Sequence, residues 1–131
     1  MHARTRLAAA IFVAVVGLSG CSSDSGAVTT VDAAGLVEVA QDPDVVVLDV
    51  RTPQEYGEGH VPGAVNIDLS SPTFAEEIEA LPKESAYVVY CRSGNRSAQA
   101  ADQMAEAGFT EVYDVDAGLV TLAEAGVPVT P

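Results

Sequence analysis

Six consecutive residues, Cys91-Arg92-Ser93-Gly94-Asn95-Arg96, hold most of the chemistry this chain can offer. They combine a thiol, two guanidiniums and a glycine, after the apolar run Tyr87–Tyr90 and before Ser97–Ala107, a stretch of helical composition. A strand that turns through a short loop into a helix puts that loop at the helix N-terminus, where unpaired N–H groups and a positive partial charge gather. A loop curling back on itself adds further N–H donors, and Gly94 supplies the backbone freedom for the curl. Cys91 stands first, so its sulfur can point into the ring. Donors, helix terminus and arginines all favour thiolate over thiol, and the thiolate is the nucleophile. An isolated Cys is commonly a small buried hydrophobe; the loop, the helix start and the lack of a disulfide partner set Cys91 apart.

The charge of the whole chain opposes an anion. Nineteen acidic residues face six basic ones across 131 residues, a formal charge of −13. That balance excludes nucleic acid as a partner, because phosphates demand a basic face. Local donors still prevail at the loop, since salt screens exposed charges beyond a Debye length of about 8 Å. Beyond residue 20 the basic residues are Arg51, Lys83, Arg92 and Arg96. Three of these four fall in two short segments, which points to a small anionic substrate. Two Cys and two His complete a four-ligand zinc site only if all are recruited, so no metal is expected. Asp49 and Arg51 flank one strand position and share a face, as a buried, paired support beneath the loop would. His60, in the turn Gly59-His60-Val61-Pro62-Gly63, suits a structural role, its imidazole bonded to backbone. Glu76, Glu77 and Glu79 read as a solvated helix face.

The N-terminus carries an address. Arg4 and Arg6 precede Leu7–Leu18, twelve residues without a charge. That run is short of the roughly 20 apolar residues of a membrane span and fits the ~7–15-residue core of a secretory signal. It ends in Leu18-Ser19-Gly20-Cys21, which resembles the lipobox of bacterial lipoproteins. The resemblance implies cleavage before Cys21, a diacylglycerol on its thiol, and a protein held on the extracytoplasmic face of the cell membrane. A plain secretory signal, with Cys21 an ordinary thiol, is the alternative. Residues 1–20 are thus expected as a signal peptide and 21–27 as acylated Cys plus flexible tether. Removing residues 1–20 takes two arginines and no acid, leaving 111 residues and a charge of −15. With Cys21 acylated, Cys91 has no partner for an internal disulfide.

Residues 28–131 are long enough for one domain. Strands are expected near 29–31, over 45–50, 64–67, 87–90 and 111–115. Helices are expected over 33–40 with Asp32 as cap, from Pro72 through 74–81, over 97–107 closed by Gly108, and over 118–125 closed by Gly126. Alternating strands and helices argue an α/β domain with a mainly parallel sheet. In such sheets ligands bind beyond the carboxyl ends of the strands, which selects the loop after Tyr90.

The loop Cys91 to Ser97 resembles the active-site loop of single-domain rhodaneses, the thiosulfate sulfurtransferase family. Leu48-Asp49-Val50-Arg51, Glu55-Tyr56 and Gly59-His60-Val61-Pro62-Gly63-Ala64 agree upstream, as do Gly108 to Tyr113 and Ala125 to Val129 downstream. The resemblance implies a single rhodanese-like domain, a five-stranded, mainly parallel sheet with helices on both faces. It implies that Cys91 takes a sulfane sulfur from a small anionic donor such as thiosulfate, holds it as a persulfide, and passes it to a thiol or cyanide. Arg92, Ser93, Gly94, Asn95 and Arg96 then cradle or bind the donor, with no cofactor. Two departures stand out: Ala117 replaces one glycine of a Gly-Gly pair, and Leu122 stands where Trp is common, in a region that lies near the active-site mouth in relatives. Two alternatives compete. A phosphatase or arsenate reductase would place five residues between Cys and Arg, where this chain has four. A non-catalytic binding or thiol-redox module would have no need of Cys91 as a sulfur carrier.

Overall fold

The most apolar runs of the chain become the middle of its sheet. The computed structural model describes residues 26–131; the signal peptide 1–20, Cys21 and the tether up to residue 25 lie outside the described residues. The elements are β1 (Val28–Val31), α1 (Ala33–Val39), β2 (Val46–Asp49), α2 (Pro53–Glu58), β3 (Val65–Asn66), α3 (Phe74–Glu79), β4 (Ala86–Cys91), α4 (Asn95–Glu106), β5 (Glu111–Gly118) and α5 (Leu119–Glu124). The five strands form one sheet in the order β1-β5-β4-β2-β3, every pair parallel. Parallel neighbours require helical crossovers, and these cover both faces.

Leu48, Val89, Cys91 and Val112 pack under α3 and α4 through Phe74, Ile78, Ala100, Ala101 and Met104. Val88, Tyr90 and Val115 face the other way, against α1 and α5 through Leu36 and Leu122, with Tyr56 of α2 at the margin. β4 is buried along almost its whole length, as a central strand covered on both sides must be. The carboxyl end of this strand carries Cys91.

The expected α/β class and the mainly parallel five-stranded sheet are what the structure has, and several boundaries move. Asp32 does cap α1, accepting the Gly35 N–H at 2.8 Å. Pro72 lies before α3 rather than in its first turn, and that helix ends at Glu79. β3 is only two residues long, at the sheet edge. α4 begins at Asn95, two residues before the expected Ser97, because Gly94 itself is the N-cap in a left-handed conformation, φ 90°. β5 runs to Gly118, beyond the expected Val115, and α5 starts only at Leu119. α2 was not expected as a helix. Thr52 and Glu55 form a reciprocal capping box with Pro53 in the first turn, which is enough to start it.

Candidate active site

β4 and β5 pair in simple register up to Val89↔Asp114, and then Cys91 pairs with Gly118. Four residues advance on β5 while two advance on β4, a bulge that bends β5 around the end of β4. The bend brings Gly118 against the Arg92 carbonyl. A Cβ at Gly118 would stand 1.8 Å from that oxygen, so only glycine permits the approach.

Pinned this way, the segment Arg92–Gly94 curls over Cys91. The N–H groups of Ser93, Gly94 and Ser97 face the sulfur, that of Gly94 at 3.0 Å from Sγ. The Ser97 hydroxyl lies 3.6 Å from Sγ. Cys91 has no water-exposed surface. Burial pushes its thiol up, but the Ser97 hydroxyl and the N–H groups of Ser97, Ser93 and Gly94 outweigh burial, and the group lies below the ordinary thiol value. A ring of donors that stabilises a thiolate will equally hold the terminal sulfur of a persulfide or the oxygens of an anionic donor.

The arginines divide. Arg96, in the first turn of α4, gives Nη1 and Nη2 to the two carboxylate oxygens of Glu55 at 2.8 and 2.9 Å. A cation at a helix N-terminus is poorly placed, and Glu55 compensates it. Glu55 also serves the Thr52 cap, so one carboxylate joins the starts of α2 and α4. Arg96 and the Thr52 groups hold that carboxyl down at about 2 against the opposing effect of burial. Lys83 pairs with Glu79, and Arg51 with Asp49. Among the described residues, Arg92 is therefore the one basic side chain without an ion pair, and it is exposed. It borders a cleft of about 230 Å³ together with Arg51, Glu55, Leu119, Val120 and Val129. Ser93 and Asn95 are exposed, with their backbones in the curl and the helix start.

Asp49 and Arg51 are buried and paired. Arg51 Nε lies 3.0 Å from each Asp49 oxygen and Nη2 lies 2.7 Å from Oδ2. Tyr90 Oη donates to Asp49 Oδ2 at 2.7 Å and accepts the Val61 N–H at 3.0 Å. Burial and the neighbouring Asp49 push the Tyr90 phenol up and keep it a donor. Asn66 Nδ2 donates to the carbonyls of Asp49 and Arg51, at 3.0 and 2.8 Å. Asp49 and Tyr90 occupy the sheet face opposite Cys91, so this network braces the end of β2 beside the loop rather than touching the sulfur. His60 Nδ1 donates to the Tyr56 carbonyl at 2.9 Å, and its ring stacks on Tyr56 with centroids 3.7 Å apart. Its backbone bridges Thr130. Leu122 points into the core with no exposed surface; Leu119 and Val120 of the same helix border the cleft.

Sequence reasoning passed over four contributors. Glu55 had a signal, the Thr52-Pro53-Gln54-Glu55 capping pattern. Ser97 follows Arg96 directly and was taken only as a helix start. Gly118 was placed in a helix, and Asp114 had no signal at all.

A parallel sheet whose central strand ends in a cysteine, capped by a curled N–H loop at a helix start, defines a domain for holding sulfur or an oxyanion at one thiol. The chain belongs to the rhodanese-like domain family, which it matches over residues 32–125. It is 32% identical over 91 residues to a sulfurtransferase of Allochromatium vinosum, covering 70% of this chain and 83% of that protein. It is 35% identical over 91 residues to thiosulfate sulfurtransferase 16 of Arabidopsis thaliana, covering 62% and 76%. A tRNA uridine(34) hydroxylase of Bacillus velezensis is 34% identical over 88 residues, but the match spans only 27% of that protein. Among solved structures, a rhodanese-related protein of Thermoplasma volcanium superposes with a TM-score of 0.68 at 34% identity, covering 77% of this chain and 96% of that one.

Proposed function

We propose that the protein is a sulfurtransferase that carries a sulfane sulfur on Cys91. The observation that supports this most is the ring of N–H groups from Ser93, Gly94 and Ser97 around a buried Sγ. In the first step the Cys91 thiolate attacks the outer sulfur of a donor such as thiosulfate. The donor's S–S bond breaks, its electron pair leaves with sulfite, and a persulfide remains on Cys91. In the second step a thiol or cyanide takes the outer sulfur and the thiolate is restored. The N–H ring stabilises negative charge in both states. Arg92, exposed and unpaired, draws the anionic donor in through the cleft. Arg96 acts by holding the loop to α2, through Glu55.

A phosphate-transfer reading would need the loop arginine free over the sulfur, whereas Arg96 is committed to Glu55. The charge of −13 also leaves no basic face for RNA, despite the hydroxylase relatives. In the cell the domain is lipid-anchored through Cys21 on the extracytoplasmic face of the membrane, a reading supported by the uncharged run Leu7–Leu18 and by Leu18-Ser19-Gly20-Cys21.

Thiocyanate formation from thiosulfate and cyanide tests the activity. Wild type should turn over and Cys91→Ser should not. Cys91-dependent hydrolysis of an aryl phosphate without sulfur transfer would give the phosphatase reading instead, and neither activity would leave a binding module. Cell fractionation with mass analysis of the mature N-terminus tests the anchor; a soluble product with unmodified Cys21 contradicts it.

A further inference from the structure

Beneath Ser97 lies a carboxyl group that the fold does not account for. Asp114 stands on β5 in register with Val89, two residues before Cys91 on β4, and so shares the sheet face that α4 covers. It is 7% exposed, and its Oδ1 is the one buried side-chain polar atom without a hydrogen-bond partner among the described residues. A buried oxygen left unpaired costs stability, so a packed apolar side chain would serve the core better at this position. Such a group is a candidate for function.

The polar neighbour of this carboxyl is Ser97. The Ser97 hydroxyl has one proton and several acceptors: the Gly94 carbonyl at 3.0 Å, the Val115 carbonyl at 3.4 Å and Cys91 Sγ at 3.6 Å. Whichever acceptor holds that proton decides whether the thiolate gains a hydroxyl donor. An ionised Asp114 would compete for the proton and add repulsion; a protonated one donates into the Ser97 oxygen and leaves the proton for sulfur. The surroundings favour the acid form. Burial pushes Asp114 up against the opposing Ser97 hydroxyl, and Asp116 on β5 and Asp102 on α4 push it further. Its register partners on the neighbouring strands, Thr30 of β1 and Val89 of β4, carry no charge.

We propose that Asp114 is a positioning residue for sulfur transfer: as a carboxylic acid it engages the Ser97 oxygen and directs the hydroxyl proton to Cys91 Sγ. Asp114 keeps its own proton throughout. The bonds made and broken are those of the persulfide cycle, on which this inference rests only for its consequence in catalysis.

The test reads the thiol and not the turnover. Cys91 alkylation by iodoacetamide is followed against pH by peptide mass spectrometry in the full-length purified protein and its variants. Asp114→Asn keeps an N–H donor toward Ser97 and should retain the wild-type profile. Asp114→Ala removes the donor and should lower the alkylation rate at neutral pH by roughly three- to tenfold, the effect of one hydrogen bond. In a Ser97→Ala background the Asp114→Ala change should have no further effect. Thermal melts accompany each variant, and Asp114→Ala should melt no lower than wild type, since it removes an unpaired buried group. Faster alkylation in both Asn and Ala variants would mean a carboxylate that repels the thiolate and would overturn the proposal. So would identical profiles for wild type, Asn and Ala. These outcomes hold whether or not thiosulfate proves to be a donor, so failure here is distinct from failure of the sulfurtransferase reading.

Discussion

Gly118→Ala is the sharpest perturbation of the loop available outside the loop itself. Gly118 has φ −83°, a conformation any residue adopts, so the substitution isolates crowding from backbone strain. The new Cβ would stand 1.8 Å from the Arg92 oxygen and 2.8 Å from its carbonyl carbon. Cβ atoms essentially never approach within 3.0 Å of such neighbours, so the two segments must part by more than about 1 Å. Neither side can yield freely: Cys91 is fully buried on one flank, and β5 is held by the sheet on the other. The displaced carbonyl carries Ser93 and Gly94 with it and takes the 3.0 Å contact of Gly94 N with Sγ out of hydrogen-bond range. A hydrogen bond to a charged group is worth about 1.5–3 kcal/mol, or roughly ten- to a hundredfold in thiolate stability. Added misplacement of the nucleophile brings the expected loss of sulfur transfer to about a hundredfold or more. Overpacking should cost about 1–3 kcal/mol of stability in the same protein. Thiosulfate–cyanide kinetics, Cys91 alkylation against pH and a thermal melt, run on one preparation, check all three. A folded Gly118→Ala protein with the wild-type alkylation profile and rate would refute the claim that this contact holds the N–H ring on the sulfur.

Three further outcomes follow from the ion pairs. Glu55 is held at about 2 against an ordinary 4.5, so its contribution is complete above the ordinary value and is lost as pH falls through about 2. On the order of 2 kcal/mol is at stake after allowing for its partial exposure, and Glu55→Gln should flatten the acid side of a stability-against-pH curve; an unchanged curve contradicts the assignment. Arg92→Ala should raise KM for thiosulfate, more so at low salt, with an unaltered melting point, whereas Arg96→Ala should lower the melting point; equal effects of both on KM alone would contradict the division of roles. Asp49→Asn leaves Arg51 buried without its counter-charge and should cost about 3–5 kcal/mol in urea unfolding, and a cost below about 1 kcal/mol would show that the pair is dispensable.

What could be read from the residues was local. β2 and β4 announce themselves as unbroken apolar runs, α1 by Asp32, and the loop by a glycine between a strand and a helix. α2 carries too few apolar residues for periodicity, and only its capping pattern marks it. The start of α4 was misplaced because Gly94 caps it through backbone conformation alone, with no side-chain hydrogen bond. β5 was cut short because Asp114, Asp116 and the bulge interrupt its pattern. The pairing of Arg96 with Glu55 spans 41 positions, and no spacing rule reaches that far. The same holds for Asp114 under Ser97, a contact made only when α4 closes on the sheet. The inward turn of Leu122 follows from the length of β5, which sets where α5 begins.

The most direct measurement is the intact mass of the protein after incubation with thiosulfate and removal of excess donor. Wild type should gain one sulfur atom, located on the Cys91 peptide and lost again on adding cyanide, while Cys91→Ser should gain none. A wild-type mass unchanged by thiosulfate, polysulfide and persulfidated small thiols, or a sulfur carried equally by Cys91→Ser, would contradict the role assigned to Cys91.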